Sequence, residues 1–275
     1  MNSVPAMAVA FCLAVPLALA SPSAGAATTP AGLLLDELTW TEVRDALQAG
    51  HTTIIIPVGG TEQNGAHMAL GKHNFRAAAL AARIAAALGN ALVAPVVSYV
   101  PEGRISPPAG HMRFPGTISV PQDAFEGILM GAARSFRQHG FRDIVFLGDS
   151  GNYQDSIAAV SARLNREWAG TSARVHPLPQ YYQAATGVFN EALRARGITD
   201  TRIGTHAGLA DTSLMLGIDP SRIRENAMRT PPASETASGV TGDPTGASAA
   251  LGKVGTDLIV ERTTRAIRDA VAVRR

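Results

Sequence analysis

A chain of 275 residues, 46% of them hydrophobic and with both charge signs interspersed, can bury one large core and is too apolar to remain disordered. The formal net charge is only +2, and the basic residues are nearly all arginines scattered along the chain, the lysines being Lys72 and Lys253. That distribution leaves no basic footprint for nucleic acid.

Residues 1–27 carry an apolar stretch from Ala6 to Ala20 and no charged side chain. The stretch is short for a membrane span, and Ala24-Gly25-Ala26 offers a small-x-small cleavage pattern. An export signal is therefore expected, removed to give a periplasmic or secreted protein with no membrane insertion afterwards. The single cysteine, Cys12, lies in this segment. The mature chain should then hold no thiol, and any metal must be bound by His, carboxylate or amide groups.

After a polar linker at Thr28 to Pro30, strand-length apolar runs alternate with segments of helical period. Thr52 to Val58 is a continuous β-branched run, and Phe75 to Leu88 places Leu80, Ile84 and Leu88 on one helix face before Gly89. A strand is expected at Ala91 to Ser98, a Pro/Gly-rich loop to Thr117, and a helix from Pro121 to near Gly140. Asp143 to Leu147 reads as a buried strand. A helix from Gln154 to Trp168, a strand at Arg174 to Pro177, a helix to about Arg196 and a C-terminal helix from Ser248 to Val273 complete the pattern. This alternation predicts a mainly parallel sheet with helices on both faces, in one domain.

Ligands of such sheets bind beyond the carboxyl ends of the strands. The polar, Gly-rich clusters fall there: Gly59 to Asn74, Glu102 to Thr117 and Gly148 to Tyr153. Glu62, Asn64, His67 and His73 suit Zn, Mn or Fe, or they cap the loop and the helix that follows. His111 and Arg113 sit in the long loop that would roof the site. His51, His139 and His176 occupy positions that need no function.

Gly60-Thr61-Glu62-Gln63-Asn64-Gly65-Ala66-His67-Met68 resembles the strand-following motif of the creatininase (creatinine amidohydrolase) family. The resemblance continues at Phe114-Pro115-Gly116-Thr117, at His206-Ala207-Gly208 with Asp211-Thr212-Ser213, and at Gly239-Val240-Thr241-Gly242-Asp243-Pro244. It implies a single-domain three-layer αβα sandwich over residues 28–275 and a homo-oligomer, often a hexamer. It also implies a two-metal site that activates water against the C-N bond of a small amide or cyclic amide.

Carried over residue by residue, the resemblance is uneven. Glu62 stands where the family has a ligating Glu, whereas Asn64 replaces a ligand His and His73 replaces a metal-bridging Asp. Ser150 replaces another ligand His, with Asp149 beside it as a compensating carboxylate. The expected metal set is therefore Glu62, His73 and Asp149, holding one Zn or Mn rather than two, with His67 as a further candidate. His206 and Asp211 keep the spacing of the family's proton-transfer pair, and Asn64, His111 and Ser150 would line the substrate pocket. Two alternatives remain: an exported binding protein that has lost its chemistry, and a serine hydrolase built on Gly148-Asp149-Ser150-Gly151.

Overall fold

In the computed structural model, the described residues are Met1 and 32–273. Apart from Met1, the expected export signal with Cys12 lies outside them. The core is a four-stranded, wholly parallel sheet of β1 (Thr53–Val58), β2 (Ala91–Val93), β3 (Asp143–Gly148) and β4 (Arg174–Pro177), in the order β2-β1-β3-β4. The two central strands are buried at every position. That burial explains their near-continuous apolar sequences, since a parallel sheet covered on both faces has no solvent side to alternate with.

Successive side chains point to opposite faces and build two separate cores. Ile55, Val145 and Leu147 pack with Leu80 and Ile84 of α2 (Lys72–Leu88), Leu214 of α8 (Leu209–Ile218) and Ile259 of α11 (Ala249–Ala272). Ile54, Ile56, Ile144 and Phe146 pack with Phe125 and Leu129 of α3 (Gln122–His139) and Ile157 and Leu164 of α4 (Gln154–Glu167). The result is the expected three-layer αβα sandwich. A helix α1 (Trp40–Gln48), opened by a Thr39–Glu42 capping box, precedes β1. Among the described residues, no helix is long and apolar enough to cross a membrane.

Besides α1, which is not among the expected elements, the elements differ from expectation chiefly in three places. β2 ends at Val93 rather than Ser98, because Pro95 has no amide hydrogen to continue the ladder, and only an isolated Val58–Val97 bridge follows. The helix expected to reach Arg196 is α5 (Pro179–Gln183) and α6 (Phe189–Arg194) joined by a π-helical turn at Ala184–Val188. The third is α8, a buried helix packed tightly on α11, where a side chain at Gly252 would place its Cβ 1.8 Å from the Ser213 carbonyl oxygen.

From β1 the chain crosses to β2 on one side, then returns to β3 on the other. The crevice beyond the ends of β1 and β3 is thus the topological switch point, where such sheets bind ligands. Val58 pairs with Gly148 at that end, so Gly59-Gly60 and Asp149 emerge side by side.

Candidate active site

The first turn of α2 faces this crevice and carries Lys72, His73 and, one turn on, Arg76, with no acidic residue in the turn. Cations at a helix N-terminus work against the macrodipole, so their partners must lie outside the helix. Lys72 Nζ donates to Asp211 Oδ2 at 3.0 Å and lies 3.4 Å from Glu62 Oε1. His73 donates through Nε2 to Glu62 Oε1 at 2.8 Å and through Nδ1 to Asp149 Oδ2 at 2.7 Å. Arg76 donates through Nε to both Asp149 oxygens and through Nη1 to Asp211 Oδ1 at 2.7 Å. Lys72, His73, Arg76, Glu62 and Asp149 are all buried, and the six groups close into a ring of alternating sign.

Both nitrogens of His73 face carboxylates, an arrangement that needs both protonated. Burial and Lys72 oppose the second proton, but Glu62 and Asp149 hold the His73 pKa above its ordinary value. Burial likewise opposes ionisation of Glu62 and Asp211. His73 and Lys72 nevertheless keep Glu62 low, and Lys72 and Arg76 keep Asp211 low. Three anions therefore meet three cations inside the protein.

The expected set Glu62, His73 and Asp149 is thus brought together as a row rather than around one point. Asp149 also accepts the Tyr181 hydroxyl at 2.6 Å. With Arg76 and His73, that occupies the roughly four lone-pair positions a carboxylate offers. The atoms that do converge belong to Glu62, His111 and His206, each offering one ligand atom within 4.8 Å of the others. His111 Nε2 is 3.2 Å from Glu62 Oε2 and His206 Nδ1 is 3.6 Å from Glu62 Oε1.

Gln63 organises the two rings. Its Oε1 accepts the Gly65 amide, which fixes the orientation of the side chain, and its Nε2 donates to the Gly239 carbonyl. The Gln63 carbonyl oxygen lies 2.9 Å from His206 Nε2 and can only accept, so that nitrogen carries the proton. Burial, reinforced by the Lys72 charge, brings His206 down to about 4, so the ring is neutral at pH 7. The bare Nδ1 lone pair therefore faces a carboxylate oxygen, two acceptors across a gap that a cation would fill. Burial also lowers His111. Its Nδ1 lies 3.0 Å from Gln63 Nε2, which leaves its Nε2 proton directed at Glu62.

His206 is aimed by local strain. Ala207 is the only non-glycine among the described residues with a positive φ, at 53°, and its amide donates to Asp211 Oδ2 at 2.9 Å. Left-handed alanine is costly and persists only where surrounding contacts fix it. Asp211 thus acts on His206 through the backbone, with its other bonds going to Lys72 and Arg76.

Asn64 is fully buried and donates to the Glu62 and Ala69 carbonyls, holding the loop in shape. The Ser150 hydroxyl accepts the Asn152 amide in a short turn, and among the described residues no His or carboxylate bonds to it. His67 bonds Thr212, away from the converging atoms. Glu102 was not singled out from the sequence. Its Oε2 accepts from Asn152, while its Oε1 is buried without a partner. Burial and the neighbouring Glu62 charge raise it to about 8. Its close seat on the loop requires Gly60, where a Cβ would lie 2.3 Å from Oε1. A neutral carboxyl beside an ionised one is a split suited to acid–base work.

A sequence model of the creatininase family, described as creatinine amidohydrolase, matches residues 36–267. Creatinine amidohydrolase of Pseudomonas putida is 29% identical over 196 residues, covering 70% of this chain and 74% of the relative. The mycofactocin precursor peptide peptidase of Mycolicibacterium smegmatis is 30% identical over 221 residues, covering 73% and 78%. A solved mutant creatininase shares the fold with a TM-score of 0.72 at 25% identity, over 86% of this chain and 98% of its own. Solved creatininases include a form named for Mn, with TM-score 0.69 at 25% identity over 86% and 98% of the chains. They also include a mutant of Zn-Zn type, with TM-score 0.67 at 24% identity over the same shares. The family match spans both cores and every strand of the sheet, and the chain belongs to the creatininase family of metal-dependent amidohydrolases acting on C-N bonds.

Proposed function

We propose that the protein hydrolyses the C-N bond of a small amide or cyclic amide with one divalent ion held by Glu62, His111 and His206. The observation that carries this reading is the convergence of those three side chains, with the unprotonated Nδ1 of His206 turned toward Glu62. Two neutral imidazoles and a carboxylate suit Zn or Mn. The Gln63 carbonyl on the far nitrogen of His206 is the kind of outer partner that fixes a ligand's tautomer. His111 becomes a ligand through Nε2 in its other tautomer, which means giving up its bond from Gln63 Nε2.

When bound, such an ion supplies Lewis acidity for water and for the amide carbonyl. The chain's own residues orient and confine the substrate. A cavity of about 180 Å³ borders His206, lined in part by Arg76, Tyr182, Thr205 and Asp211 but by neither Glu62 nor His111. Arg76 and Asp211 neutralise one another, so the wall they form favours a polar, uncharged group such as an amide. Asp211 and Ala207 keep His206 in register during the reaction.

A second reading, a binding protein without turnover, is favoured by Asp149, whose lone pairs are taken by His73, Arg76 and Tyr181. One experiment separates them: protein loaded with Zn or Mn is assayed for amine release from a panel of small amides and cyclic amides. Release that falls at least ~100-fold in both His206→Ala and Glu62→Gln supports hydrolysis. Ligand capture without release, or release that survives His206→Ala, overturns it.

A further inference from the structure

We infer that Lys72 and Arg76 stand in for a second metal ion. The inference deepens the single-ion reading and depends on it only for the ion that remains. A dinuclear site needs an excess of anionic ligands around two points of positive charge. Here each side-chain cation already spans two carboxylates that come from different parts of the chain. Lys72 joins Glu62 of the loop after β1 to Asp211 of α8, and Arg76 joins Asp149 of the loop after β3 to that same Asp211. The side chains of Lys72 and Arg76 are only 1% and 4% exposed. Such burial is tolerated for these residues only when they are paired.

Placement in the sequence supports the same conclusion. Lys72, His73 and Arg76 crowd the start of α2 against its dipole, and violations of local preference concentrate where a site demands them. The spacing of four residues puts Lys72 and Arg76 on one helix face, one turn apart, so a single element delivers both charges. Lys72 and Arg76 each already join two of the three carboxylates Glu62, Asp149 and Asp211, so a second divalent ion among them would have to displace one of these side-chain cations. The cation set thus does for the fold what a second ion would do, without ligand exchange and without loss to a chelator.

The test is ion stoichiometry by isothermal titration with Zn and separately with Mn, together with thermal melts in chelator and in added ion. The proteins are wild type, Lys72→Ala, Lys72→Ser and the charge-conserving Lys72→Arg. The expected result is at most one ion in wild type and Lys72→Arg, and one further ion in Lys72→Ala or Lys72→Ser, with a melting temperature that rises on its addition. A small variant unfolded in chelator that folds on adding Zn counts in favour. Two ions in wild type, or no further ion and no ion-dependent gain in either small variant, overturns the inference. A wild type without any ion removes the single-ion reading, yet an extra ion in Lys72→Ala would still uphold the replacement.

Discussion

Arg76→Met removes the charge that links Asp149 to Asp211 while keeping an unbranched stem of similar reach, so the measurement reads the ion pairs rather than a cavity. Asp149 would lose its Nε bonds at 3.0 and 2.8 Å, and Asp211 would lose its bond at 2.7 Å. Removing one partner of a buried pair costs about 3–5 kcal/mol, because the charge left behind remains desolvated. For a domain of this size, with ~2–4 °C per kcal/mol, the melting temperature should fall by about 6–20 °C. Circular dichroism melts in chelator of wild type, Arg76→Met, Asp149→Asn and the double variant measure it. Because Asp149 is the main partner, the double variant should lose less than the sum of the singles by ~0.5–3 kcal/mol. A fall under about 2 °C, or strict additivity, would refute the assignment of Arg76 as the buried link between Asp149 and Asp211.

Gln63→Ala removes the amide that positions His111 and anchors the Gly239 carbonyl. Since His111 binds an ion through Nε2 only by giving up that bond, Zn affinity should hold or strengthen in this variant, and a loss of about 10–100-fold, the usual cost of removing an outer partner of a ligand, would argue against coordination by His111 Nε2. Glu102 is raised to about 8, above the unfolded value of about 4.3. Below both values it costs nothing. As pH rises between them the unfolded chain ionises and the folded chain does not, so stability is progressively lost. Glu102→Gln escapes that loss. Its urea midpoint should gain on wild type between about pH 4 and 8 and hold steady above, whereas a pH-independent difference would contradict the burial of a neutral carboxyl.

The fold is legible where burial leaves a pattern. β1 and β3 announce themselves as continuous apolar runs, and α2, α3 and α4 by their helical period, because each buries one or both faces against the sheet. α8 does not. Its sequence LADTSLMLGI is buried on most sides, so it lacks the polar stripe that marks a surface helix. The site is legible in its acceptors and less so in its donors. Glu62, Asp149 and His206 sit at strand and loop ends, and Asp211 in the first turn of α8, where polar residues draw notice. Arg76 lies in the expected helix from Phe75, where charges ordinarily form a solvated face, and Lys72 just ahead of it; the helix in fact begins at Lys72. The readable signal was their position: three basic side chains opening a helix with no acid among them. His73 was foreseen beside Glu62 and Asp149, but spacing cannot tell a neutral ligand from a protonated bridge. That distinction appears only once both ring nitrogens are seen to meet carboxylates.

The opening of α2 has a consequence for how the chain folds. In isolation, the segment from Lys72 to Arg76 would repel itself and fray, since the dipole and the neighbouring charges all oppose its first turn. What closes that turn comes from outside the helix, from the loops after β1 and β3 and the start of α8. The apolar middle of the helix has local support, whereas its first turn is stabilised by tertiary contacts alone. A register slip of one residue between β1 and β3 would draw Asp149 away from His73 and Arg76, so the residues that shape the crevice also penalise the wrong pairing.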